Sequence, residues 1–324
     1  MVKRIEVTEP LFEIVCQLGE GPLWDEKRNA LHFVDVGNNC IHHLDLASTS
    51  LTTDYYSECI ASISFCKRSK EHFLACAKGG FAYLPIRGTE SSPARPMKIE
   101  YMCDNPVPQD VRDARMFNDS ACDAKGRVFA GTKTLRGEPF NEHLLPGRVY
   151  KLENVGGRWQ SEEVEEIGGM TIPNGIAFSP DNRTMYVADT RSFHILAFDY
   201  DLSTGTVSSK RVFIETSWDG RPDGMCVDTQ GFVWSAKYSG CRVTRYTPTG
   251  EVDMEIDFPK SLNITSAAFG GPERDTLFVT SGSLNESGDD KDQEKVRRYP
   301  HSGSVFSVRI PGVRGIEKFS FADV

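Results

Sequence analysis

The chain has 324 residues, 39% of them hydrophobic and 26% charged, a balance of ordinary folded domains and far from that of disordered chains. Its 46 acidic residues outnumber 37 basic ones for a net charge of −9, and the basic residues gather into no long stripe, which argues against nucleic acid as a partner. No window of about 18 apolar residues is present, and the start, Met1-Val2-Lys3-Arg4-Ile5-Glu6-Val7, lacks the apolar core of an export signal, so the expectation is a cytoplasmic protein with no membrane partner.

Taken in order, the chain opens with a strand candidate at Ile5–Val7 or Phe12–Val15. Gly19-Glu20-Gly21-Pro22-Leu23-Trp24, a polar turn and Ala30–Asp35 then make two strands around a tight connection, with Cys40–Leu44 as a third. A second copy runs through Ala61–Cys66, His72–Ala77 and Gly80–Leu84, followed by a loop rich in Pro and Ser from about Arg87 to Pro108. The third, Phe117-Asn118-Asp119-Ser120 to Thr132, precedes an insertion at Leu135–Pro146 that reads as a connection or as a cover for a pocket mouth. The fourth contains Pro173-Asn174-Gly175 and a Ser-Pro-Asp-Asn turn, the fifth Pro222-Asp223-Gly224, and the sixth Thr265–Pro272, with a charged loop at Asn285–Arg298.

Landmarks at 20, 61, 118, 174, 223 and 265 are 41, 57, 56, 49 and 42 residues apart, six copies of three or four short strands each. Periods of this size with β character predict an all-β, six-bladed propeller occupying residues 1–324 as a single domain. The early strand, without partners in its own copy, is expected to pair with the last blade and close the ring. Nine cysteines, odd in number and without Cys-x-x-Cys spacing, read as reduced thiols; Cys66, Cys76 and Cys226 sit inside apolar runs.

The first strand of each propeller blade lies nearest the axis, so residues at its start face one another across the channel. Those positions hold Glu20, Ala61 or Ser62, Asn118, Asn174, Asp223 and Thr265. Taken singly, Asn174-Gly175 and Asp223-Gly224 read as turn dipeptides, and Asp119 as structural. Their shared phase in the repeat argues instead for one site. Two carboxylates and two amide oxygens, from Glu20, Asp223, Asn118 and Asn174, suit a hard divalent cation, Ca²⁺ first, with Zn²⁺, Mn²⁺ or Mg²⁺ as alternatives.

At these residues the sequence resembles the family of senescence marker protein (regucalcin), gluconolactonase and luciferin-regenerating enzyme. The match lies in Gly19-Glu20-Gly21-Pro22-x-Trp24, Phe117-Asn118-Asp119, Pro173-Asn174-Gly175, Pro222–Asp228, Ser266–Pro272 and Pro311–Gly315, nearly end to end. The resemblance implies a divalent ion in the channel of a six-bladed propeller, ligated by Glu20, Asn174 and Asp223. Asn118 joins that site, as a ligand in the related squid-type phosphotriesterase and nearer to substrate in the lactonases. The implied activity is hydrolysis of a lactone, a small-molecule partner. Sugar-lactone members carry Arg two residues before the Asn of their motif; here that place is Met116, with Arg115 displaced by one, so Arg115, Met116 and Asn118 are the substrate-contact candidates and Met116 points to a less polar substrate.

On this reading the ion polarises the lactone carbonyl while Asp223, an acceptor-only carboxylate, serves as general base toward water. Without a Gly-x-Ser-x-Gly elbow or a Cys/His pairing, a covalent nucleophile has no support. The alternatives are an esterase or phosphotriesterase on the same ion, and a non-catalytic calcium-binding propeller.

Overall fold

Along each apolar run, successive side chains leave the strand on opposite faces, so a repeat of short runs and tight turns can bury both faces only between two neighbours like itself. The fold follows from this in a computed structural model that describes residues 2–87, 95–135, 146–218, 220–284 and 293–323. Six small antiparallel sheets form the blades of a β-propeller, strand following strand outward in chain order. Their innermost strands are Gly19–Asp25, Ile60–Phe65, Arg115–Cys122, Pro173–Phe178, Arg221–Val227 and Asn263–Gly270, and each touches the next around a closed ring.

The core is divided accordingly, with one apolar cluster in each gap between adjacent blades. In blade four, Ile176 and Phe178 face Phe129 and Val149 of blade three, whereas Ala177 faces Met225 and Val227 of blade five. Period-two alternation therefore specifies both interfaces of a blade at once.

A buried carboxylate at the end of several inner strands fixes the next turn. Asp228 Oδ1 accepts from the amides of Gln230 and Phe232, while its Oδ2 accepts from Trp234 Nε1 (3.0 Å) and Arg245 Nη2 (2.6 Å). Asp123 plays the same part toward Arg127, whose amide and Nε both donate to it, and Asp25 toward Arg28. Each turn is thus set by the acidic residue that precedes it.

Several expectations need correction. The first strand, Lys3–Glu6, lies parallel to Val252–Asp257 and extends blade five rather than blade six. Ile5 and Val7 pack on the cluster between blades five and six, and Arg4 pairs with Glu255, which holds the strand there. The ring is closed one step later, where Phe12 bridges Val305 of blade six. A fourth strand for blade two, Tyr101–Asp104, lies within the stretch read as loop, and Gln293–Arg298 is a short helix within the stretch read as a charged loop. All nine cysteines are free thiols. No helix among the described residues is long and apolar enough to cross a membrane.

The end of the chain crosses the far side of the propeller. Gly315 bridges Asp228 of blade five, Lys318 Nζ donates to Pro22 O of blade one, Phe321 bridges Cys66 of blade two, and the Ala322 amide donates to Gly126 O of blade three. Residues Ile316–Phe319 line a cavity of about 90 Å³ walled by all six inner strands, so the tail forms its floor.

Phe321 is fully buried between Trp159, with ring centroids 4.6 Å apart, and Tyr83. Phe321→Ala is expected to lower unfolding free energy by about 3–5 kcal/mol in chemical denaturation. A second expectation concerns acid. Burial pushes His32, which shares a proton with His43 Nδ1 (2.7 Å), down to about 4. The unfolded chain, with His near 6.5, then binds more protons below that pH, so stability present above pH 6.5 is lost as pH falls toward 4. Denaturation midpoints between pH 7 and pH 4.5 should fall more steeply in the wild type than in His32→Gln.

Candidate metal centre

The inner strands share an irregularity that places the predicted residues. In all six, the pairing with the second strand slips by one, between Glu20 and Leu23, Ile60 and Ser62, Phe117 and Ser120, Pro173 and Ile176, Pro222 and Met225, and Ile264 and Ser266. Each slip is a β-bulge, one extra residue that bends the strand and re-aims its side chains. Glu20, Asn118, Asn174 and Asp223 stand at four of these bulges, with Ala61 and Thr265 at the other two. Asn174-Gly175 and Asp223-Gly224 are therefore not turn dipeptides; both lie inside strands.

Contacts between neighbouring bulges draw the positions together. Asn118 Nδ2 donates to Pro173 O (3.1 Å), Ser62 Oγ and Ser120 Oγ lie 2.6 Å apart, and Thr265 Oγ1 donates to Gly19 O (2.5 Å). The glycines allow the remaining approaches. A Cβ on Gly175 would sit 2.6 Å from Asp223 O, and one on Gly224 would sit 2.6 Å from Ser266 Cβ, so only glycine fits between these strands.

The electrostatics of the ring are unusual. Burial first, then the negative fields of Asp223 and Asp119, raises the Glu20 carboxyl well above the usual carboxylate range, and Lys133 opposes this. Asp223 is 4% exposed and Asn174 6%. Asn174 donates its amide N–H to Thr190 Oγ1 (3.1 Å), as Asn118 donates to Pro173 O, and each amide therefore directs its oxygen to the other side. Two like-charged carboxylates in each other's field, at bulges of the same ring as those of Asn118 and Asn174, are a charge arrangement that a hard divalent cation would neutralise.

Other candidates separate on inspection. Met116 stands opposite Lys133 in the strand pair, next to the bulge. The Arg115 guanidinium is desolvated by burial and lies in the fields of Tyr150, Arg148 and Glu163. Asp119 faces the cavity below the ring, where burial raises its carboxyl and Lys318 opposes the rise. The proposed cover at Leu135–Pro146 lies outside the described residues except for its two ends.

A second group, Cys16, Asp35 and His42, has potential ligand atoms within 4.8 Å of one another. Here Asp35 is already occupied, accepting from the amides of Gln17 and Leu18 (both 3.0 Å) and from Asn38 Nδ2 (2.7 Å). Asp189 does the same for the amides of Thr171 and Ile172 in blade four, so this is a repeated loop anchor. Neither the bulges nor Lys133 was anticipated from sequence. The available signal was the glycine directly after three of the four candidate ligands, Glu20, Asn174 and Asp223.

The steric reading of those glycines is testable. Gly175→Ala meets backbone atoms of Asp223 and Met225, whereas Gly224→Ala meets the side chain and Cα of Ser266. Thermal melts should show both variants destabilised, because neither the backbone atoms beside Gly175 nor Ser266 Cα and Cβ beside Gly224 can rotate away.

Comparison with known proteins agrees with this architecture. Residues 18–283 match the family described as the SMP-30/Gluconolactonase/LRE-like region. Regucalcin of Gallus gallus is 32% identical over 308 residues, covering 94% of this chain and 95% of its own. A pentonolactonase of Haloferax volcanii is 30% identical over 274 residues, 84% of each chain. Among solved structures, a luciferin-regenerating enzyme superposes with a TM-score of 0.81 at 26% identity, over 98% of this chain and 99% of that one. A calcium-binding regucalcin from Agrobacterium tumefaciens gives the same TM-score, 0.81, at 23% identity over 99% of each chain. With its fold, its repeat and most of its length in agreement, the chain belongs to the SMP-30/gluconolactonase/luciferin-regenerating enzyme family.

Proposed function

We propose that this protein is a divalent-cation-dependent hydrolase that opens a lactone, with all six blades acting as one domain and Glu20, Asn118, Asn174 and Asp223 holding the ion. The observation that carries the reading is the pair Glu20 and Asp223, brought into each other's field at two bulges and flanked by two amides. Two negative charges and neutral oxygen donors favour Ca²⁺ over Zn²⁺, Mn²⁺ and Mg²⁺. The lactonase in the family supports the substrate class, and the calcium-binding regucalcin supports the ion.

When bound, such an ion supplies Lewis-acid polarisation of the carbonyl and a lowered pKa for water. The chain's own residues do the rest. Glu20 balances charge, and Asn174, tethered to Thr190, keeps its oxygen oriented. Asn118 spans blades three and four through Pro173 and fixes the substrate's approach. Asp223, acceptor-only and nearly buried, takes a proton from the attacking water. Met116 gives the ring of the substrate an apolar surface.

Glu20→Gln and Asp223→Asn should each lower kcat/KM for lactones at least ~100-fold while circular dichroism remains that of the wild type. Chelation should do the same to the wild type, with recovery on adding Ca²⁺. The assay uses sugar, aliphatic and aromatic lactones beside an aryl ester and a phosphotriester. Full lactone turnover by either variant, or by metal-free protein, would refute the reading; turnover of the phosphotriester alone would move the activity to that class.

A further inference from the structure

One charged side chain at the ring has no part in the scheme above. Lys133 belongs to the second strand of blade three, Val128–Thr134, and is paired in register with Met116, so both side chains leave the sheet on the same face beside the bulge that carries Asn118. Its backbone is firmly placed. The neighbouring Thr132 donates its amide to Arg148 O (2.8 Å), and its Oγ1 accepts from the Arg148 amide (3.1 Å).

Its charge acts on the blades that follow one another here: it opposes the rise of the Glu20 carboxyl of blade one and of the Cys59 thiol at the entry to blade two. Blade two brings no charged side chain to its bulge, which holds Ala61 and Ser62. Among the described residues whose fields reach Glu20, Lys133 is the cationic one; the others are Asp223 and Asp119.

The charges can be paired off. Glu20 and Asp223 balance a divalent ion, Asp119 faces Lys318 below, and Arg148 pairs with Glu163 at 3.3 Å. Among the described residues this leaves Lys133 as a half-buried positive charge opposite an apolar Met116, in a setting where electrostatic attraction is weakly screened. A neutral ligand gains nothing from it. An anionic one does.

We propose that Lys133 is a specificity-determining residue that pairs with a negative substituent of the substrate, so that this site selects lactones carrying a carboxylate or a phosphate away from the reacting ester. The inference rests on the lactonase reading for the reaction and on Lys133 alone for the selectivity. The anion lies on the substrate's periphery, with Met116 against its ring.

The test compares full-length, Ca²⁺-loaded protein on three matched lactones: a neutral sugar lactone, the same ring phosphorylated on its exocyclic hydroxyl, and the same ring with that carbon as a carboxylate. At low salt the wild type should favour at least one charged lactone by ~10-fold or more in kcat/KM, and that selectivity ratio should shrink as ionic strength rises. Lys133→Met should lower the ratio ~10-fold or more, Lys133→Glu further, and Lys133→Arg should keep most of it. Which charged lactone responds identifies carboxylate or phosphate. A wild type without the preference, or a ratio that Lys133→Met leaves unchanged, overturns the proposal.

A binding arm separates this failure from failure of the reaction assignment. Calorimetry with the ring-opened acids, monoanionic against dianionic, should show a preference for the dianion that Lys133→Met loses. If no lactone is turned over, the lactonase reading falls, and calorimetry still decides on Lys133: equal relative affinities in wild type and Lys133→Met overturn it.

Discussion

Glu20 and Asp223 repel each other inside a ring that six strands hold shut, and much of the inner architecture serves to keep them there. Left to themselves, two enclosed carboxylates would separate or take up a proton, and the raised Glu20 carboxyl expresses that tendency. What prevents separation is backbone packing. Each donor stands at a bulge of a strand whose neighbours are fixed by glycines too close for any side chain, by Asn118 on Pro173 and by Thr265 on Gly19. The geometry of the ring is thus set by the backbone itself.

Stability for this arrangement comes from elsewhere in the blades. Six separate apolar clusters, one per gap, mean that no blade is stable without its neighbours, and the ring resists local opening only as a whole. Charged anchors such as Asp228 with Arg245, and Asp123 with Arg127 and Tyr200, lock the turns where strands reverse. They follow the ends of the inner strands, whereas the four candidate ligands stand at the bulges near the starts of those strands.

This division explains what the sequence disclosed. Spacing alone brought out six blades, because Ile176-Ala177-Phe178 and its counterparts must repeat whenever the same interface repeats. The four candidate ligands were picked out by phase, since Glu20, Asn118, Asn174 and Asp223 recur at one point of the cycle. The bulges were not, because a slip of one residue leaves no mark on apolar alternation beyond a glycine or two. The destination of Lys3–Glu6 was misread for a related reason: its partner was chosen by parallel pairing and by Arg4 with Glu255, which no local pattern encodes. Arg115 and Met116 are neighbours in one strand, and in a strand one residue is the difference between opposite faces.

The tail that runs from Gly315 to Ala322 gives the molecule a direction. By bracing blades five, one, two and three from beneath, it turns a tube into a blind well. On that side the described residues leave no through route, so a ligand entering from the ring would have to depart by the same opening, and any product would have to clear it before a successor could bind.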